Sequence, residues 1–418
     1  MINPITDKLF EMMSQISGFI YPNEIEVHWG ILVVVYPYLT GLVAGAFILA
    51  SLVKVFNIKE LQPAYRLAML TALSFLLIAP LPLLLHLGHP ERSYEIFLNP
   101  NFTSAMAMFG FVYAWYLMVV LLLEIWFTYR KDLILWAQEE RNPMKFIHRL
   151  LGLFSTDLSL RGEEFDRKVL KAITIIGIPS AFLLHGYVGF IFGSIKANPW
   201  WSSVLMPIVF LFSAIVSGIA LVILVYMVTS LFRWKKLDMA CLDKLAELLL
   251  YAIIVDFSLE LLDFIHRLYE SEESINILSE MISSRLFMSL IITQITIGTI
   301  IPTLSIVLTR TSRIHVEMRR ILYFIAALLI QVGIFSTRWN VVIGGQLFSK
   351  SLRGLTVYKL DLLGPEGLLM ASALLILPFV ILFVLTKVLP PWPKGEEDNT
   401  PEDDAGRIQQ ELTPVKAS

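Results

Sequence analysis

Long uninterrupted apolar runs constrain this chain more than any motif does. Gly30 to Phe56, Tyr65 to Leu87, Ser104 to Phe127, Val169 to Gly193 and Val204 to Phe232 each reach bilayer-spanning length, which is about 20 residues. Leu245 to Phe264, Leu286 to Leu308, Ile321 to Phe335 and Gly367 to Leu389 follow, the eighth being the shortest. Only 16% of the residues are charged, against about 25% in soluble domains. Backbone groups in lipid must find partners within their own segment, so the runs predict helices. The expected fold is an all-α polytopic membrane protein with about nine transmembrane helices, arranged as two four-helix bundles plus a C-terminal helix. The expected units are an interfacial N-terminal segment (1–28), a first bundle (29–194), a second bundle (195–337), an outer loop with the last helix (338–390), and a disordered tail (391–418).

Lys and Arg favour cytoplasmic connections, and here they gather in alternate ones. The first holds Lys54, Lys59 and Arg66. The third holds Arg130, Lys131, Arg141, Lys145, Arg149, Arg161, Arg167, Lys168 and Lys171. The fifth holds Arg233, Lys235, Lys236 and Lys244, and the seventh Arg310, Arg313, Arg319 and Arg320. The opposite side carries the acidic Glu270, Glu272 and Glu273. This bias predicts an inner-membrane protein with its N-terminus outside and its C-terminus in the cytoplasm. Met1 to Ile20 lack the basic start and apolar run of a signal peptide and read as an interfacial amphipathic helix. The tail after Pro393 is rich in Pro, Glu and Asp, a composition that does not fold alone.

A single cysteine, Cys241, excludes a disulfide framework, a thiolate-held iron–sulfur cluster and a cysteine zinc site within this chain. The net charge of −2 does not indicate a partner, and nothing points to nucleic acid.

Polar residues inside a membrane are costly and mark function by default. His28 precedes the first helix, His86 and His89 end the second, and Asn99-Pro100-Asn101-Phe102-Thr103-Ser104 leads into the third. His185-Gly186-Tyr187 sits near the outer end of the fourth helix, and Arg338-Trp339-Asn340 follows the eighth. Nearly all fall toward the outer half. Quinone binding needs an apolar slot, hydrogen-bond donors for the carbonyls and a group that titrates near neutrality. Histidine, with an ordinary pKa of roughly 6.5, suits the last role. His28, His86, His89 and His185 are therefore candidate quinone-site residues, with Asn101, Ser104 and Tyr187 as partners. The plainer reading of each is interfacial solvation or capping. Asn99-Pro100-Asn101 is also a good turn sequence, and Glu91-Arg92 a simple ion pair. His148, His266 and His315 read as surface residues, and Trp29, Trp115, Trp200 and Trp201 as an aromatic belt.

On the sixth run, Asp256, Glu260 and Asp263 share one helical face by their spacing. Three such carboxylates cannot all carry charge at close quarters, and a stripe of them suits stepwise proton movement. The alternative is fraying near Asp263 that lets the outer acids meet water. Glu124 is a second proton station or an interfacial acid. Gln294 and Gln331 are neutral hydrogen-bonding candidates.

Four blocks then resemble a known family. His28-Trp29-Gly30 with Tyr36-Pro37-Tyr38-Leu39-Thr40-Gly41 is similar to the first core helix of the NrfD-type membrane subunits, which include that of polysulfide reductase. Leu87-Gly88-His89-Pro90-Glu91-Arg92, followed by Leu98-Asn99-Pro100-Asn101-Phe102-Thr103-Ser104-Ala105-Met106, resembles the block after their second helix. His185-Gly186-Tyr187 through Asn198-Pro199-Trp200-Trp201 to Met206-Pro207 resembles the next. Asn340-Val341-Val342-Ile343-Gly344-Gly345-Gln346 resembles the C-terminal block of the longer, hydrogenase-type branch. The resemblance covers about residues 25–390. At the positions of His86 and His89, shorter members often carry an acid and an arginine.

The resemblance implies a quinone-interacting protein of an oxidoreductase complex that holds no haem or metal and binds menaquinone or ubiquinone near the outer face. It also implies a ferredoxin-like iron–sulfur partner on that face and a further catalytic component, such as a molybdopterin enzyme, a hydrogenase or a sulfite-reduction-linked complex. Two other classes compete. A secondary transporter or ion channel would use the Asp256, Glu260 and Asp263 stripe, but the chain lacks paired Gly/Pro-broken helices. A di-haem cytochrome b needs histidine pairs at two depths, and only His86 and His185 offer even one.

Overall fold

Each apolar run closes its backbone hydrogen bonds within itself, and the computed structural model, which describes residues 13–233, 237–270 and 274–392, is helical throughout its core. Helix α1 (Ile31–Val55) is buried on nearly every side. Helix α2 (Gln62–Ile78) stops before Pro80, which cannot continue the ladder, and resumes as Leu81–His86. Helix α3 runs as Ala105–Trp115, a π-helical Tyr116–Leu121 and then Leu122–Gln138. Helix α4 (Leu160–Gly193) starts where the Ser159 hydroxyl accepts from the Gly162 amide, a standard N-cap. Helices α5 (Met206–Phe232) and α6 (Met239–Glu270) follow. Helix α7 opens as a π-helix, Phe287–Ile300, and continues as Ile301–Thr311. Helices α8 (Val316–Val342) and α9 (Leu368–Val388) are the last among the described residues.

Among the described residues, eight helices are long and apolar enough to cross a membrane. Helix α6 is a ninth of 32 residues; the three acids Asp256, Glu260 and Asp263 near its centre lower its hydropathy, but it packs along α5 like the others. The protein is an all-α, multi-pass integral membrane protein.

Helix α1 is the hub. It packs against α2, α4, α5 and α8; α3 lies on α4, α6 on α5, α7 on α8, and α9 along α2. Close approach needs small residues, since helices in lipid associate through packing rather than a hydrophobic drive. A Cβ on Gly45 of α1 would lie 2.8 Å from the Gly218 Cα of α5. Gly298 of α7 and Gly333 of α8 touch in the same way.

At one end lie the connections 87–104, 194–205 and 343–367, joined by residues 17–30. We call this the loop-rich end. Two short antiparallel strands, β1 (Ser17–Gly18) and β2 (Gly354–Leu355), pair there. The other, basic end is tied by Arg319 to Asp243 at 2.9 Å, Arg233 to the Thr386 carbonyl and His148 to the Val388 carbonyl.

Several sequence expectations change. Arg338-Trp339-Asn340 lies inside α8, not after it, because Arg338 and Asn340 find partners within the protein and the helix need not end for them. Trp200 and Trp201 are buried, with their indole nitrogens donating to the Asn340 and Val341 carbonyls at 2.8 and 2.6 Å, so they are not belt residues. His148 is buried rather than a surface residue, bridging Asn142 to α9. His315 accepts from the Glu317 amide and caps α8. The expected interfacial helix at Met1 to Ile20 falls partly, over residues 1–12, outside the described residues. Glu272, Glu273 and the tail 393–418 also lie outside them.

Candidate functional site

The loop-rich end is built by the chain before α1 clamping onto the chain after α8. The Trp29 amide donates to Gln346 Oε1 at 3.0 Å, and Gln346 Nε2 donates back to the Trp29 carbonyl at 3.1 Å. The Ile31 amide, one of the donors a helix start leaves free, reaches the Tyr358 hydroxyl at 3.0 Å. Thr356 donates to the Ile25 carbonyl at 2.7 Å. This clamp frames a polar pocket of about 170 Å³ lined by Glu26, Val27, His28, Gly30, Tyr358 and Glu366, among others. His86, at the last turn of the α2 extension, sets Nδ1 3.0 Å from Glu366 Oε1. Burial raises the Tyr358 phenol above its ordinary pKa, so it stays a hydroxyl that can donate into the pocket while accepting from Ile31.

The other sequence candidates on this face are elsewhere. His89 is exposed and pairs with Glu91 at 2.9 Å. Asn101 accepts from the Thr103 amide and hydroxyl, and Ser104 caps α3 by accepting from Ala107. Tyr187 donates to the Ala105 carbonyl at 2.9 Å and stacks on Phe109, fastening α4 to the start of α3.

His185 turns inward instead. It is fully buried on α4 and stacked on Phe210 of α5, at 5.6 Å between ring centroids. Its Nδ1 lies 3.3 Å from Thr40 Oγ1 of α1, and its Nε2 lies 3.2 Å from Arg338 Nη2 of α8. Guanidinium has only donors, so Nε2 accepts, the ring proton sits on Nδ1, and the imidazole is neutral in this arrangement. Arg338 also donates to Ser213 Oγ at 2.6 Å and holds its guanidinium carbon 4.2 Å from the Phe210 ring centroid. Its Nε and Nη1 have no partner. Gly41 leaves the room His185 needs, since a Cβ there would already be 3.1 Å from its Cε1. Four helices thus meet at one buried cation.

The α6 acids have three different surroundings. Asp263 accepts from the Ser203 hydroxyl and pairs with Arg267 one turn on, a buried pair whose charges offset each other. Glu260 Oε2 accepts from Gln294 Nε2 at 3.2 Å, and Gln294 Oε1 accepts from Asn340 Nδ2 at 2.8 Å. Asp256 is buried, with Oδ1 unpartnered. Glu124 is fully buried on α3, accepting from Thr174 of α4 at 3.0 Å. Gln331 bridges the Tyr38 hydroxyl to the Ser217 carbonyl.

The sequence reading missed Glu366 and Tyr358, and gave Arg338 and Asn340 a loop. An arginine inside an otherwise apolar helical pattern was the available signal, because such a residue needs interior partners.

The family model described as polysulphide reductase, NrfD, matches residues 22–350. The chain is 34% identical over 326 residues to a selenate reductase subunit of Mesobacillus selenatarsenatis, a match covering 75% of this chain and 73% of that protein. It is 25% identical over 215 residues to protein NrfD of Escherichia coli, covering 51% and 63%. To the Hdr-like menaquinol oxidoreductase integral membrane subunit of Archaeoglobus fulgidus it is 25% identical over 212 residues, covering 51% and 45%.

Proposed function

The chain belongs to the NrfD family of polysulphide reductase membrane proteins, and from that premise we propose that it is the quinone-linked membrane anchor of an oxidoreductase complex. In this reading the loop-rich end faces outward, binds quinone or quinol, and meets a ferredoxin-like iron–sulfur partner. The terminal catalytic centre belongs to a further protein of the complex. The relatives named as reductase and menaquinol oxidoreductase subunits support the class, and the concentration of basic residues at the opposite end supports the orientation. The packing of α1–α4 and α5–α8 on one another supports two bundles joined at α1 and α5.

One observation carries the quinone assignment. Glu366 lines the same pocket as His28 and the Tyr358 hydroxyl, and it pairs with His86 from a separate segment. The residues fit a quinone head: His28 and Tyr358 are donors for carbonyl oxygens, and the His86–Glu366 pair offers an imidazole and a carboxyl between which a proton can pass. Leu85 and Leu87, which flank His86, are exposed and extend an apolar surface for a tail. Bound quinone supplies two-electron, two-proton chemistry. The protein's part is to fix the head group and to hold a proton at His86 Nδ1 or Glu366.

Apart from that pocket, Asp256 and Glu260, with Glu124 on α3, are the proton-holding groups of a proposed partial path, with Asp263 held by Arg267. Replacing Asp256 by Asn and Glu260 by Gln in liposomes carrying the whole complex tests the path; unchanged electron transfer with unchanged proton movement refutes it. For the site itself, His86→Leu and Glu366→Gln should abolish most quinone-linked electron transfer in an assembled complex. Wild-type turnover in both variants would reject the assignment.

A further inference from the structure

A second cavity, distinct from the pocket at His28 and Glu366, lies among α5, α6, α7 and α8 and has a volume of about 200 Å³. Its walls are mainly apolar and aromatic, including Phe210, Phe257, Phe264, Leu290 and Ile291. An apolar cavity of roughly 150 Å³ is enough to hold a benzene ring. Leu261, which also lines the space, is 47% exposed, so the cavity reaches the lipid-facing surface beside α6.

Its polar wall is unusual in sign. Glu260 Oε2 accepts from Gln294 Nε2, which turns Gln294 Oε1 toward Asn340, where it accepts one Asn340 Nδ2 hydrogen. Each amide NH2 gives one hydrogen to this chain of bonds, and two buried oxygens beside it are left without a partner. Glu260 Oε1 and Asn340 Oδ1 have no partner, and Asn340 is only 2% exposed. Asp263 and Arg267 satisfy each other nearby, so the wall offers no free cation to an anion. Buried acceptors without donors are costly. A ligand that relieves them brings an O–H and fits the remainder of the space with a ring.

We propose that this cavity is a binding site for a neutral aromatic alcohol, entering from the bilayer beside Leu261 and donating its hydroxyl to Asn340 Oδ1. The site shares no residue with the quinone pocket proposed above and does not rest on that reading.

The test is equilibrium binding of radiolabelled 4-methylphenol to the full chain in nanodiscs, corrected for partition into empty nanodiscs. The expected result is saturable binding, at least tenfold tighter than toluene, the same ring without the hydroxyl. Asn340→Leu should weaken 4-methylphenol about tenfold, the worth of one hydrogen bond, without weakening toluene. Leu261→Trp, at a position that meets lipid and should fold, fills the mouth and should weaken both ligands at least tenfold. His86→Leu should leave binding intact, which separates this site from the quinone pocket. Absence of saturable binding, equal binding of toluene, or unchanged binding in Leu261→Trp would each overturn the proposal and leave the cavity as a place for water.

Discussion

Gly218→Ala is the sharpest test of the helix packing. The added Cβ would fall 2.5 Å from the Ala46 nitrogen, with the Gly45 backbone nearer still, where 3.4 Å marks ordinary contact. All three nearest atoms are backbone, so no side chain can rotate away and α5 must move about 1.0 Å from α1. Overpacking of this kind costs about 1–3 kcal/mol. Alanine recovers about 1 kcal/mol of helix propensity. With the clash on backbone the cost falls in the upper part of that range, about 2–3 kcal/mol, so the net expectation is a loss of about 1–2 kcal/mol, read in a reversible SDS titration of the protein in mixed micelles. Gly45→Ala should behave similarly, since its Cβ meets the Ala214 carbonyl as well as Gly218. Once one substitution has parted the helices, the second meets less resistance, so the double variant should lose less than the sum of the singles. A Gly218→Ala protein as stable as the parent, or strictly additive losses, would refute the reasoning.

Trp201→Phe keeps most of the packing but removes the donor to the Val341 carbonyl; a loss of about 1 kcal/mol should appear in the same titration, and Trp201→Ala should lose about 3–5 kcal/mol. Asp243→Ala removes the acceptor shared by Arg319 and Tyr323. The pair is partly exposed, so the expected loss is about 1–2 kcal/mol, and it should shrink in high salt. Asp157 is held below its ordinary pKa by the backbone and hydroxyl of Ser159. A depressed carboxyl favours the folded turn above its unfolded pKa and loses that effect as pH falls through the folded one. Hydrogen exchange at the start of α4 should therefore stay slow through neutral pH and rise only below the usual carboxylate range; a rise near pH 6 would contradict the assignment.

The fold class was legible because length and apolarity alone require helices in lipid, and Gly30 to Phe56 became α1 almost residue for residue. The acid spacing on α6 was legible too, since four and three residues place Asp256, Glu260 and Asp263 on one face. Their separate surroundings were not. Asp263 depends on Ser203 and Arg267, and Glu260 on Gln294 from α7, contacts that spacing within one helix does not encode. His185 looked like one of a set of outer histidines; its burial follows from Thr40, Phe210 and Arg338 on three other helices. Asn101 and Ser104 stand at a helix start, and local bonding accounts for both: Asn101 closes a turn onto Thr103 and Ser104 caps α3. Glu366 escaped notice because a lone acid in a Gly-Pro-Glu-Gly stretch carries no period.

The clamp at the loop-rich end also sets a clock. Trp29 bonds to a residue 317 positions later and Ile31 to one 327 later. At about 5–20 residues per second during synthesis, the partners of the hub helix emerge roughly 15–60 s after its own start. Helix α1 is thus made well before its entrance is fixed: α5 and α8 can cover its sides as they emerge, but its first turn stays open until Gln346 and Tyr358 arrive.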